Sequence, residues 1–192
     1  GSRYVASVAA GTKLFQVICC PFDAMGATMA TYCGQNVGAI KLDRLGQGLR
    51  ACSLLGLGYA LLSFASIFFF APQMALLFLN PGEEALIGHT AQYITTLGAF
   101  FFPLALVNIL RFSIQGMGFS NLAILAGVME MFARMGVATL LVPAIGYTGA
   151  CFASPAAWIC ADLFLIPASC WSIAHLRRVY GQPGERSGSP AP

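Results

Sequence analysis

The sequence predicts an all-α, polytopic membrane helix bundle, and three observations carry that prediction. Of 192 residues, 58% are hydrophobic and 9% are charged, whereas an average soluble domain carries about 25% charged residues. Mean hydropathy is +0.76. The ten basic and seven acidic residues cannot coat a water-soluble globule of this length, so a soluble enzyme is excluded. The net charge of +3 is too small and scattered for a nucleic-acid footprint, and no nucleic-acid partner is expected. The third observation is a series of uncharged runs, each near the roughly 20 residues that a helix needs to cross a bilayer.

Five such runs are expected to be spans, at about residues 14–39, 51–79, 85–110, 121–145 and 149–174. A helix satisfies its own backbone where no water is available, and the strand-type alternation of a barrel is absent. The first run is broken only by Asp23, two residues after Pro21, where a helix kink is expected. An acid beside a kink could hold a cation or a proton; alternatively Asp23 lies near the outer water interface. The second run includes Ile67 to Phe70 and the third begins near His89, read as interfacial. The fourth holds Glu130 and Arg134, and the fifth holds Asp162.

Between the runs lie turns: Asn80–Pro81–Gly82–Glu83–Glu84, then Gly116 to Asn121 ending in N-cap residues, then Gly146 to Gly149. Residues 179–192 read as a disordered, polar cytoplasmic tail. All seven cysteines lie without metal-ligand or disulfide spacing and read as small packing residues.

Lys41, Arg44 and Arg50 follow span one, Arg111 ends span three, and Arg177, Arg178 and Arg186 follow span five. The other two connections carry no Lys or Arg, so basic and non-basic loops alternate. The positive-inside bias then predicts a cytoplasmic C-terminus, with Arg3 and Lys13 dissenting. Five crossings put residue 1 outside, so the chain is expected to be the C-terminal piece of a longer protein.

An ionisable group at mid-bilayer costs about 2.5–3.5 kcal/mol, so each needs a reason. Glu130 and Arg134 stand four apart with the acid first, a favourable helical pair. It either pins one helix against its neighbours or opens and closes during a conformational cycle. Asp162 either hydrogen-bonds a neighbouring helix or carries part of a transport cycle. Gln35 and Asn36, between glycines at the end of span one, are expected to cap carbonyls and bond across helices, as are Arg111 and Gln115 at the end of span three. No GxxxxGK[ST] phosphate loop occurs, and no nucleophile, base and orienter stand at recognisable spacing, so no catalytic residue and no resident metal or cofactor is expected. Some aromatic residues could line a cavity for a flat organic cation.

The run Thr31 to Ala39, TYCGQNVGA, with Lys41–Leu42–Asp43–Arg44, resembles the GQNxGA motif and basic loop of MATE (multidrug and toxic compound extrusion) transporters. Arg111 to Gly118, RFSIQGMG, resembles the family's R-x-x-x-Q-G-x-G helix end, and Glu130 to Arg134 its E-x-x-x-R. Gly146 to Gly149 with Pro155 to Trp158 and Asp162 is similar to the final helix. The resemblance covers residues 5–178 in order. It implies a partial C-terminal lobe over residues 1–178, helices eight to twelve of a twelve-helix, two-lobe transporter. It further implies export of bulky amphipathic or cationic compounds across the cytoplasmic membrane, coupled to inward Na+ or H+. The partners would be small organic substrates, membrane lipids and the missing N-terminal lobe. Helix ten carries no acid beyond its outer end, unlike some members, so the resemblance assigns the coupling acid to the absent lobe, with Asp23 and Glu130 as candidates here. A lipid-linked saccharide flippase of the same superfamily or a non-transporting scaffold are the alternatives.

Overall fold

A computed structural model describes residues 2–76 and 84–180. The described chain is helical: α1 (Ser2–Gly38), α2 (Asp43–Ala75), α3 (Glu84–Gly98), α4 (Phe101–Gly116), α5 (Ser120–Ile145), α6 (Tyr147–Cys151) and α7 (Ala153–Tyr180). Residues 11–38, 43–75, 120–145 and 147–180 are each long and apolar enough to cross a membrane. Residues 85–98 and 101–116 qualify together as one span bent by 53°. Five crossings, as the hydropathy requires, are therefore available. Of the polar turn expected at residues 80–84, residues 80–83 lie outside the described residues and Glu84 begins α3; most of the expected tail, residues 181–192, also lies outside them, and Val179 and Tyr180 continue α7.

The third span differs from the expected unbroken 85–110 helix. Pro103 has no N–H to offer the carbonyl of Ala99, so α3 ends at Gly98 and a new helix starts, with the proline in its tolerated first turn. The junction packs on α2, where Gly98 faces Phe64 and Ile67. Pro21, by contrast, sits inside an unbroken α1. Proline loosens the turn before it, and the Tyr59 hydroxyl from α2 donates to the Ile18 carbonyl there at 2.8 Å.

Two expected turns also differ. Gly118 (φ +94°) takes a backbone conformation that glycine adopts freely, and it returns the Phe119 N–H to the Ile114 carbonyl at 3.0 Å. That leaves Phe119, not Ser120 or Asn121, in the N-cap seat of α5, with no side-chain cap. Residues 147–151, read partly as a turn, form the short helix α6 instead.

α4 is the centre of the bundle, touching α1, α2, α5 and α7. It is buried on nearly every side, including Ile109 and Ile114 at 0% exposure. α2 buries one stripe, Leu45, Leu49, Gly56, Ala60, Ser63, Ile67, Ala71 and Ala75, at the spacing of a helix face. Its other face exposes Leu54, Leu55, Leu61, Leu62 and Phe68 to Phe70, which suits contact with acyl chains. Arg177 at the end of α7 meets Asp43 at the start of α2, 3.3 Å apart, so basic connections share one pole. At the other pole the Tyr147 hydroxyl donates to the His89 carbonyl at 2.8 Å, and the two rings meet edge to face.

Candidate functional site

Two groups of polar residues in this apolar bundle contain its mid-span acids, and α4 joins them. The first spans α4, α5 and α7. Small residues build it: α5 buries only Ala123, Ala126 and Glu130, and these two alanines bring its backbone near its neighbours. Glu130 is 6% exposed. One carboxylate oxygen accepts Arg134 Nη2 of the next helical turn at 3.0 Å; the other pairs with Arg111 Nη2 of α4. Glu130 is thus the shared acid of an Arg–Glu–Arg triad. The expected pair on one helix is half of a link between two.

Asp162, from α7, is buried beside this triad and within electrostatic reach of Arg111. Its Oδ1 and the Nε of Arg111 are both buried with no hydrogen-bond partner among the described residues. The hydrogen bond to a neighbouring helix expected for Asp162 is therefore not made by that oxygen. Two guanidinium groups and two carboxylates sum to no net charge, which reduces the penalty of holding them out of water. Arg134 keeps 45% of its side chain exposed. A half-exposed guanidinium at this depth favours a wet cavity or another protein surface over lipid.

The second lies along a seam between α1 and α4. Asp23 is exposed, and its Oδ1 accepts Asn108 Nδ2 at 3.3 Å. Gln115, seven residues on from Asn108, is exposed on the same face of α4, while Thr28, Thr31 and Gln35 are exposed on α1 away from the face that meets α4. The two threonines bond their own helix, to the Ala24 and Ala27 carbonyls at 2.8 Å and 3.3 Å. The helices close at the inner end of the seam, where a Cβ on Gly116 would run into the Ala30 carbonyl. Only glycine permits that approach. Asn108 and Arg111, three residues apart on α4, are neighbours on its surface and connect seam to triad.

Gln35 and Asn36 do not bond across helices. Asn36 is buried and donates to the Tyr32 carbonyl of its own helix at 2.8 Å, and Gln35 faces outward. In the last turn of a helix the carbonyl four residues back is closer than any neighbour. At this end of the bundle α1 is linked to α2 by the Tyr32 hydroxyl, which donates to the Arg44 carbonyl at 3.0 Å. Sequence reasoning missed Asn108, and it expected Arg111 to bond across helices without naming Glu130 as the partner. The available signal was that ionisable residues in different spans must find one another, and four of them balance. Among the described residues no three His, Cys, Asp or Glu side chains gather at metal-binding distance.

The arrangement can act as an exchangeable ion-pair network. Arg111 has one carboxylate engaged and a second within reach, so small shifts among α4, α5 and α7 can change which acid it serves.

Comparison with known proteins agrees with this architecture. The chain resembles a structure described as the inward-facing conformation of a multidrug resistance MATE family transporter of the MOP superfamily, with a TM-score of 0.79 at 18% identity. That match covers 86% of this chain and 38% of the other, so the chain spans under half of the length of the transporter it resembles. No curated protein matches significantly. The MatE family profile matches residues 1–145, most of the sequence. This chain belongs to the MatE family, whose members are membrane transporters and not enzymes.

Proposed function

We propose that the chain is the greater part of the C-terminal lobe of a cation-coupled antiporter, lying in the cytoplasmic membrane with its C-terminus inside. It works opposite an N-terminal lobe of the same protein and exports bulky amphipathic or cationic organic compounds in exchange for Na+ or H+. One observation carries the reading: the buried Arg111–Glu130–Arg134 triad with Asp162 beside it, shared by three helices. A scaffold has no use for acids buried between spans, where an ionisable group at mid-bilayer costs about 2.5–3.5 kcal/mol on insertion scales. A transporter that rocks between two states does, because a cation arriving at a carboxylate releases an arginine to another partner. Asp162, outside the triad yet beside Arg111, is the group in this lobe best suited to that exchange.

The α1–α4 seam supports the substrate class. Among the described residues its exposed polar side chains include an acid, Asp23, and no Lys or Arg, which suits a cationic compound better than the phosphate of a lipid-linked saccharide. The clustering of Lys41, Arg44, Arg177 and Arg178 near one pole supports the inward orientation.

The test uses the complete transporter in cells loaded with ethidium. Efflux should stop when the ion gradient is collapsed, and Asp162→Asn should abolish most gradient-driven efflux while leaving membrane expression unchanged. Efflux that persists without a gradient overturns the antiporter reading. Full coupled efflux in D162N removes Asp162 from the cycle.

A further inference from the structure

On the far side of α4 from the seam lies a groove of about 960 Å3 between α2, α4 and α7. Leu110, which lines it, is two residues from Asn108 and so points elsewhere on the helix. The groove has two chemistries, arranged along the membrane normal. Arg50 of α2 and Arg177 of α7 stand at the basic pole; Leu54, Leu57, Phe102 and Ile173 line the walls. Arg50 to Leu57 is about 10 Å along a helix at about 1.5 Å per residue. The groove thus runs from headgroup level into the depth of the upper acyl chains. Its volume falls at the upper end of the roughly 300–1,000 Å3 of small-molecule sites.

We infer that this groove binds an anionic phospholipid, with the phosphate on Arg50 and Arg177 and one acyl chain against Leu54, Leu57 and Phe102. Charge complementarity selects the occupant. Two guanidinium groups repel the organic cations proposed as cargo and give a zwitterionic lipid less than they give an anionic one. Arg50 has no hydrogen bond or ion pair among the described residues. Arg177 is held only by Asp43 at 3.3 Å, a carboxylate whose side chain is 94% exposed. Such a screened surface pair is weak enough for a phosphate to replace it. Ser169, at the apolar end, spends its hydroxyl on the Ile166 carbonyl and asks nothing polar of a ligand. The inference needs the bundle to lie in a bilayer and does not depend on what is transported.

The test is native mass spectrometry of the purified full chain in detergent, with added phosphatidylglycerol or phosphatidylcholine of matched acyl chains and with glycerol 3-phosphate as the free-anion probe. Phosphatidylglycerol adducts should dominate. Arg50→Gln and Arg177→Gln should each reduce them about five-fold. Leu54→Trp, which narrows the groove from an exposed position, should reduce both lipids, and Lys41→Gln, a basic residue outside the groove, should change neither. Equal retention of the two lipids overturns the inference, as does unchanged retention in the double arginine variant. Displacement of lipid by glycerol 3-phosphate at equal concentration would make the site one for soluble anions and also overturn it. Binding of neither lipid, the result if another helix covers the groove, does the same. Both arginines are exposed, so the variants are expected to fold, and their melting temperatures check it.

Discussion

The triad and the seam place similar side chains in opposite conditions. At Glu130 the acid is enclosed: it is 6% exposed and engaged by guanidinium groups from two helices. At Asp23 the acid is exposed and has a single amide partner, Asn108. A carboxylate is therefore structural or available according to how many cations enclose it, and its position in a hydropathy plot does not say which. The difference also divides the labour within α4, whose Arg111 faces the enclosed cluster and whose Asn108 faces the open one.

The largest effect is expected at the triad. Glu130→Gln leaves two guanidinium groups without their shared acid, and breaking a buried pair of this kind costs about 3–5 kcal/mol. Folded yield and melting temperature in detergent read it out. Reversing Glu130 and Arg134 together should fail to rescue, because the new arginine would face Arg111. Rescue by the double reversal would mean that the α5 pair acts alone and that the comparison is wrong.

Next comes Gly116→Ala, at the closed end of the seam. The added methyl meets the Ala30 backbone, which cannot rotate away, and overpacking of this kind costs about 1–3 kcal/mol. A melting temperature equal to that of the unmodified chain would show that α1 and α4 are not held this closely. The smallest effect belongs to Asn108→Ala. It removes one exposed hydrogen bond, worth about 0.5–1.5 kcal/mol at most. A loss as large as that of Glu130→Gln would make the seam a second enclosed site and erase the distinction.

Much of the fold was legible in the chain. The five apolar runs correspond to the five available crossings, and the start of α5 lies within one residue of its expected place. The bend in the third span was written in Pro103, but a hydropathy window averages over a proline and registers only that the run is apolar. The site was half legible. Glu130 and Arg134 are four residues apart, and helical geometry alone brings them together. Arg111 was read as a helix-end residue because its distance to Glu130 depends on how α4 and α5 pack. Asn36 was expected to reach across helices for the same reason, and the packing left it a nearer partner in its own last turn.

The chain by itself determined that it lives in lipid, how often it crosses and which ends carry the cations, since transfer from water to hydrocarbon depends on composition over about 20 neighbouring residues. Only the tertiary structure decided which charges meet, which acid stays open and where a lipid-sized groove forms. Those outcomes depend on the rotation and separation of helices distant in sequence, and Coulomb energy in a low dielectric changes steeply over those few ångströms.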